Sequence, residues 1–91
     1  MSETYNAYRW AFIRMILRHD WRIPELYRIL GYMRSIVIER QAISQPKTAE
    51  WREAHRQALK SAWEELEEMM TAHALSPQER EVIRKLVSWQ E

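Results

Sequence analysis

The chain contains no cysteine, one glycine and three prolines. Without cysteine there is neither a disulfide framework nor a thiolate-ligated metal site. That fits a reducing compartment, and a cytoplasmic location is expected. One glycine cannot build a glycine-rich phosphate loop. No uncharged apolar run approaches the roughly 18–20 residues that span a bilayer, so no membrane helix is expected. Arg9, Arg14 and Arg18 interrupt the N-terminal segment, which therefore lacks the apolar core of a signal peptide and reads as part of the folded protein.

The scarcity of helix breakers leaves four long segments. Pro24, Pro46 and Pro77 each fall at or near a position where a helix can begin. Helices are predicted over about 4–19, 24–42, 48–73 and 77–89. Thr48 is a candidate N-cap. Ser76-Pro77-Gln78-Glu79 combines a capping serine, a proline at the first helical position and a glutamate at the third, which is a capping box. Apolar residues recur at spacings of three and four: Leu26, Ile29, Leu30, Met33, Ile36 and Val37 in the second helix, and Trp51, Ala54, Ala58, Ala62, Leu66 and Met69 in the third. No segment alternates as a half-buried strand would, and no internal repeat is visible. The expected fold is all-α, one domain over 1–91, a four-helix antiparallel bundle or helical hairpin stack joined by short loops.

The first helix is unusual. Tyr5, Tyr8, Phe12, Met15 and Ile16 cover one side, and Trp10, Ile13 and Leu17 form a second apolar side roughly opposite. A helix apolar on two sides is buried on two sides. Either it is the central helix of the monomer, or its outer side meets another molecule. The second reading makes Trp10, Ile13 and Leu17 apolar anchors and Arg14 and Arg18 flanking charge contacts. Self-association is its commonest form, so a homodimer is expected. Five tryptophans in 91 residues tilt the same way, because aromatic residues and arginine are enriched in interfaces. Tyr27, Ile38 and Ala42 lie off the main stripe of the second helix near Gly31, where a small residue could admit another helix or be a tolerated surface glycine.

The net charge of +1 hides an asymmetry. Residues 1–47 carry eight Lys/Arg against four Asp/Glu, and residues 48–91 carry six against nine. The basic half can face the acidic half of this fold or an acidic partner. Arg14, Arg18, Arg22, Arg28 and Arg34 could also contact phosphates, which keeps a nucleic-acid-binding accessory protein as the alternative.

Catalytic signatures are weak. His19, His55 and His73 never recur at the i, i+4 spacing that sets two imidazoles on one helix face. The Glu64-Glu65-Leu66-Glu67-Glu68 run has no Glu-x-x-His partner and reads as a solvated acidic face. No catalytic residue, metal ligand or cofactor is assigned. Two short resemblances stand apart from this. Arg14-Met15-Ile16-Leu17-Arg18-His19 resembles the Arg-x4-His element of HEPN-type ribonucleases. That resemblance implies an all-helical dimer with two copies of His19 facing each other across a cleft. Leu75 to Leu86 resembles the opening helix of sigma-factor and LuxR-type DNA-binding domains, without the helix that reads bases. The leading expectation is a small non-catalytic protein–protein interaction module, a regulator, inhibitor or adaptor. A nucleic-acid-binding protein comes second and a HEPN-like ribonuclease third.

Overall fold

The computed structural model describes residues 3–89. Among them every regular element is a helix: α1 (Glu3–Arg18), α2 (Ile23–Ile43), α3 (Ala49–Ala72) and α4 (Pro77–Ser88). Each boundary falls within one residue of the sequence expectation, because the punctuation is chemical. Thr48 Oγ1 accepts from the Trp51 backbone N–H at 3.1 Å. Ser76 Oγ accepts from the Glu79 N–H at 3.1 Å, and Glu79 Oε1 accepts from the Ser76 N–H at 2.8 Å. All three contacts satisfy amides that the first helical turn leaves without a carbonyl.

The helices are paired antiparallel, but α1 packs along α4 rather than along α2, which follows it after a short turn. Arg18 meets Glu79 at one end of the α1–α4 pair, and the Tyr5 and Trp89 rings meet at the other. The α2–α3 pair is tied by Glu39 to His55 at its far end and by Trp21, just before α2, to His73 at its near end. α4 also packs against α2.

A repeat invisible to residue matching organises this arrangement. α1 ends at Arg18 and α3 at Ala72, and α2 begins at Ile23 and α4 at Pro77, each pair 54 residues apart. The turns between them match. Asp20 and Ala74, again 54 apart, hold φ of 53° and 54°, the left-handed conformation that closes a helix. In each turn the next residue donates back to the helix, Trp21 N–H to Ile16 C=O at 3.2 Å and Leu75 N–H to Met70 C=O at 3.0 Å. Those two residues, Trp21 and Leu75, are both buried. The core follows the same register: Phe12 with Leu66, Met15 with Met69, and Ile29 with Ile83 are buried pairs. The chain is thus two helix–turn–helix corners. The corner of α3 and α4 repeats that of α1 and α2.

The core occupies the half of the molecule where all four helices meet. No residue between 37 and 61 is buried, so the far ends of α2 and α3 project as a two-helix arm. The radius of gyration is 14.2 Å, against about 12 Å for a compact chain of this length. Two expectations are corrected here. Ala54 lies on the arm and is exposed, so the apolar stripe of α3 is core only from Ala62 onward. Leu30, assigned to the buried stripe of α2, is 50% exposed, because α1 leans on α4 and leaves that flank of α2 uncovered.

Candidate functional site

Large apolar side chains stay exposed almost entirely on the first corner. Trp10, Ile13 and Leu17 on α1 and Ile23, Tyr27 and Leu30 on α2 range from 41% to 76% exposed; Ile38, further along α2, is the only other among the described residues. Each set follows from helical spacing. On α1 the residues are three and four apart, and they form the side opposite Phe12 and Met15. On α2 they occupy the flank turned away from Ile29 and Ile36.

Ile13 from the first set and Ile23, Tyr27 and Leu30 from the second line two adjoining concavities, whereas Trp10 and Leu17 lie outside them. Between α1 and α2 an open groove of 390 Å³ is lined by Phe12 and Ile13 from α1 and by Leu30, Met33 and Val37 from α2. Leu86 and Val87 of α4 also line it, and Arg9 and Arg34 contribute one cation from each wall. A smaller concavity of 240 Å³ holds Ile23, Leu26, Tyr27 and Leu30. Leu30 belongs to both, so they join into one surface.

The second corner shows what ordinary solvent exposure does to the same positions. Fifty-four residues on, Trp10, Ile13 and Leu17 correspond to Glu64, Glu67 and Thr71, and Leu26, Tyr27 and Leu30 to Arg80, Glu81 and Arg84. There the three central residues form an ion-pair cluster. Glu67 contacts Arg80 and Arg84, each at 3.5 Å. Where the second corner carries a carboxylate and two guanidiniums, the first carries isoleucine and two leucines. A chain that needed only solubility could have used the same charges twice.

The structure sorts the expected site residues. Trp10, Ile13 and Leu17 share the exposed side of α1, and Arg14 beside them has no ion-pair partner among the described residues. Arg18 is already engaged, donating to Glu79 Oε2 at 2.8 Å. Ile23, Tyr27 and Leu30 were missed as parts of the same surface. The signal was there: α2 has apolar residues on two flanks, as α1 does. Tyr27 and Ile38 had been read separately from Leu30, because a wheel of one helix does not show which flank a neighbour covers.

A polar seam fixes the two corners to each other. Glu79 is buried and its carboxylate gathers the Ser76 backbone N–H, Arg18 Nη1 and His19 Nε2, the last at 2.9 Å. Burial pushes this carboxyl up, but the hydrogen bond from the Ser76 backbone and the hydrogen bond and charge of His19 outweigh it, and its pKa is lowered from the ordinary 4.5. Alongside, Trp21 Nε1–H donates to His73 Nδ1 at 3.2 Å, which makes Nδ1 the unprotonated nitrogen of that ring. His19 thus serves as a strut between α1 and α4. Among the described residues no group of three or more His, Asp and Glu is placed to hold a metal ion, and no helix is long and apolar enough to cross a membrane.

Comparison with protein-family models, curated proteins and solved structures gives no match.

Proposed function

We propose that the protein is a non-catalytic protein–protein interaction module whose docking surface is the exposed apolar face of the α1–α2 corner. The observation that carries this is the contrast between the corners: the positions of Glu67, Arg80 and Arg84 are held by Ile13, Leu26 and Leu30. Six large apolar side chains exposed on one corner, four of them lining adjoining concavities, exceed the scattered exposure normal for a monomer. Trp10 and Tyr27 are the residue types that dominate binding energy when a partner dehydrates them. The ribonuclease reading loses support because His19 Nε2 is bonded to Glu79 within the chain.

The absence of cysteine makes a clean test. Leu17→Cys and its second-corner counterpart Thr71→Cys each give one thiol, both at exposed positions. In cells that naturally contain the protein, maleimide should label Leu17→Cys far more slowly than in the purified chain. Thr71→Cys should label equally in both settings. Equal rates at Leu17→Cys in the two settings would end the proposal.

A further inference from the structure

We infer that the occupant of this surface is an amphipathic helix whose apolar stripe is flanked by aspartate or glutamate. The inference rests on the interaction-module reading and adds the partner's chemistry.

The shape comes first. The groove is lined on α1 by Tyr5, Arg9 and Ile13 and on α2 by Leu30, Arg34 and Val37, one stripe from each helix. From Tyr5 to Ile13 is eight residues, about 12 Å at 1.5 Å per residue, or two helical turns. An apolar trough of that length between two helices takes a third helix, which presents anchors at i, i+3, i+4 and i+7. A fifth helix there would bury the flank of α2 that α1 leaves open.

The charge gives the flanks. Arg9 and Arg34 line the groove, one from each wall, and Arg34 forms no ion pair among the described residues. Three of the four carboxylates of the first corner are committed elsewhere: Glu25 caps α2 through the Arg22 N–H, Asp20 meets Arg22, and Glu39 meets His55 out on the arm. The fourth, Glu3, stands in the first turn of α1 and does not line the groove. The rim is therefore basic and the floor apolar. A second copy docked face to face would set this basic rim against itself, and like charges across an interface oppose association. This weighs against the homodimer expected from α1 alone. A nucleic acid would match the arginines but would strand Ile13, Leu30 and Val37 against a charged backbone. Acidic residues flanking an apolar stripe satisfy both features at once.

The test titrates the whole chain with a fluorescent helical peptide of about four turns. One version has leucine at i, i+3, i+4 and i+7 flanked by glutamates; a second has the same leucines flanked by lysines. Single-stranded RNA and duplex DNA are run alongside. The glutamate peptide should bind at least tenfold tighter than the lysine peptide at about 50 mM salt, and the margin should shrink as salt rises. Arg34→Glu should reverse the preference. Ile13→Glu/Leu30→Arg, which copies the Glu67–Arg84 pair of the second corner, should abolish binding of both peptides while the circular dichroism of the chain is unchanged. Equal binding of the two peptides, or binding of nucleic acid lost with Arg34→Glu, overturns the acidic helix. A chain that sediments as a dimer made monomeric by the double variant also overturns it, yet leaves the docking surface standing. A monomer that binds neither peptide and is indifferent to the double variant removes the surface and the partner together.

Discussion

The two corners share a backbone plan and differ in what they show to solvent. Both end their first helix in a left-handed residue, bury the residue that follows, and begin their second helix with a glutamate at the third position. Inward, their side chains are interchangeable in kind: methionine with methionine at 15 and 69, isoleucine with isoleucine at 29 and 83. Outward, the second corner is closed by Glu67, Arg80 and Arg84, and the first is left apolar. Packing constrains the inner positions, because a dense core tolerates few shapes. Solvent imposes no such constraint on the outer ones, and a greasy choice there calls for a separate reason. The second corner supplies the control that a single apolar patch would lack.

The largest effects should come from the shared interior. Leu66→Ala and its counterpart Phe12→Ala should each cost about 2–5 kcal/mol, measured by chemical denaturation. Comparable losses would mean that one core serves both corners. A loss confined to Leu66→Ala would mean that α1 is an attachment to a three-helix body.

Next comes the seam. Glu79→Gln removes the charge that Arg18 and His19 share and should cost about 1–3 kcal/mol. Its counterpart, Glu25→Gln, loses one exposed capping contact and should cost about 1 kcal/mol or less. The pH dependence separates them further. The folded-state pKa of Glu79 is lowered, so its contribution is complete above the unfolded value near 4.5 and is lost as pH falls through the folded one. Wild type should therefore lose stability below about pH 4.5 more steeply than Glu79→Gln. Parallel acid curves would assign the anchoring to something other than this carboxylate.

Much of this was legible before any coordinates. Helix ends were readable because capping serine and threonine, proline at the first turn and the stripe periods are local chemistry. The outer side of α1 was readable for the same reason: Trp10, Ile13 and Leu17 fall on one angle whatever the helix packs against. The repeat was not legible, since it rests on turn geometry and on the burial of Trp21 and Leu75, residues with no resemblance in type. The α2 half of the candidate site was hidden too. Leu30 sits beside Met33 and Val37 on the wheel, and only the choice of α1 to pack on α4 separates exposed from covered. Glu79 was correctly read as a capping residue, but its bonds to Arg18 and His19 span some sixty residues and leave no local trace.

A smaller effect, of opposite sign, is expected at Gly31, whose counterpart is Lys85. A Cβ at Gly31 would meet nothing within 4 Å. Gly31→Ala should therefore stabilise the isolated chain by about 0.8–1 kcal/mol, the helix-propensity difference. If thermal melts show that gain while affinity for the acidic helix falls, the partner extends past Leu30 and Tyr27 onto Gly31 itself, and the glycine is kept for its approach. If affinity is unchanged, the contact surface stops at Leu30 and Tyr27.

The smallest effect is also the sharpest comparison. Ile13→Glu/Leu30→Arg makes the first corner resemble the second, where Glu67 and Arg84 sit at the same positions 3.5 Å apart. Ile13 and Leu30 are 41% and 50% exposed, so little of their apolar area is protected by the fold, and exposed substitutions usually fall within about ±0.5 kcal/mol. The new pair adds about 0–1 kcal/mol, as surface ion pairs do. Net stability by denaturant titration should be unchanged within error. A loss above about 1.5 kcal/mol, the scale of a core truncation, would mean that these two side chains support the monomer itself. The difference between the corners would then be one of packing, and the apolar groove would need no partner to account for it.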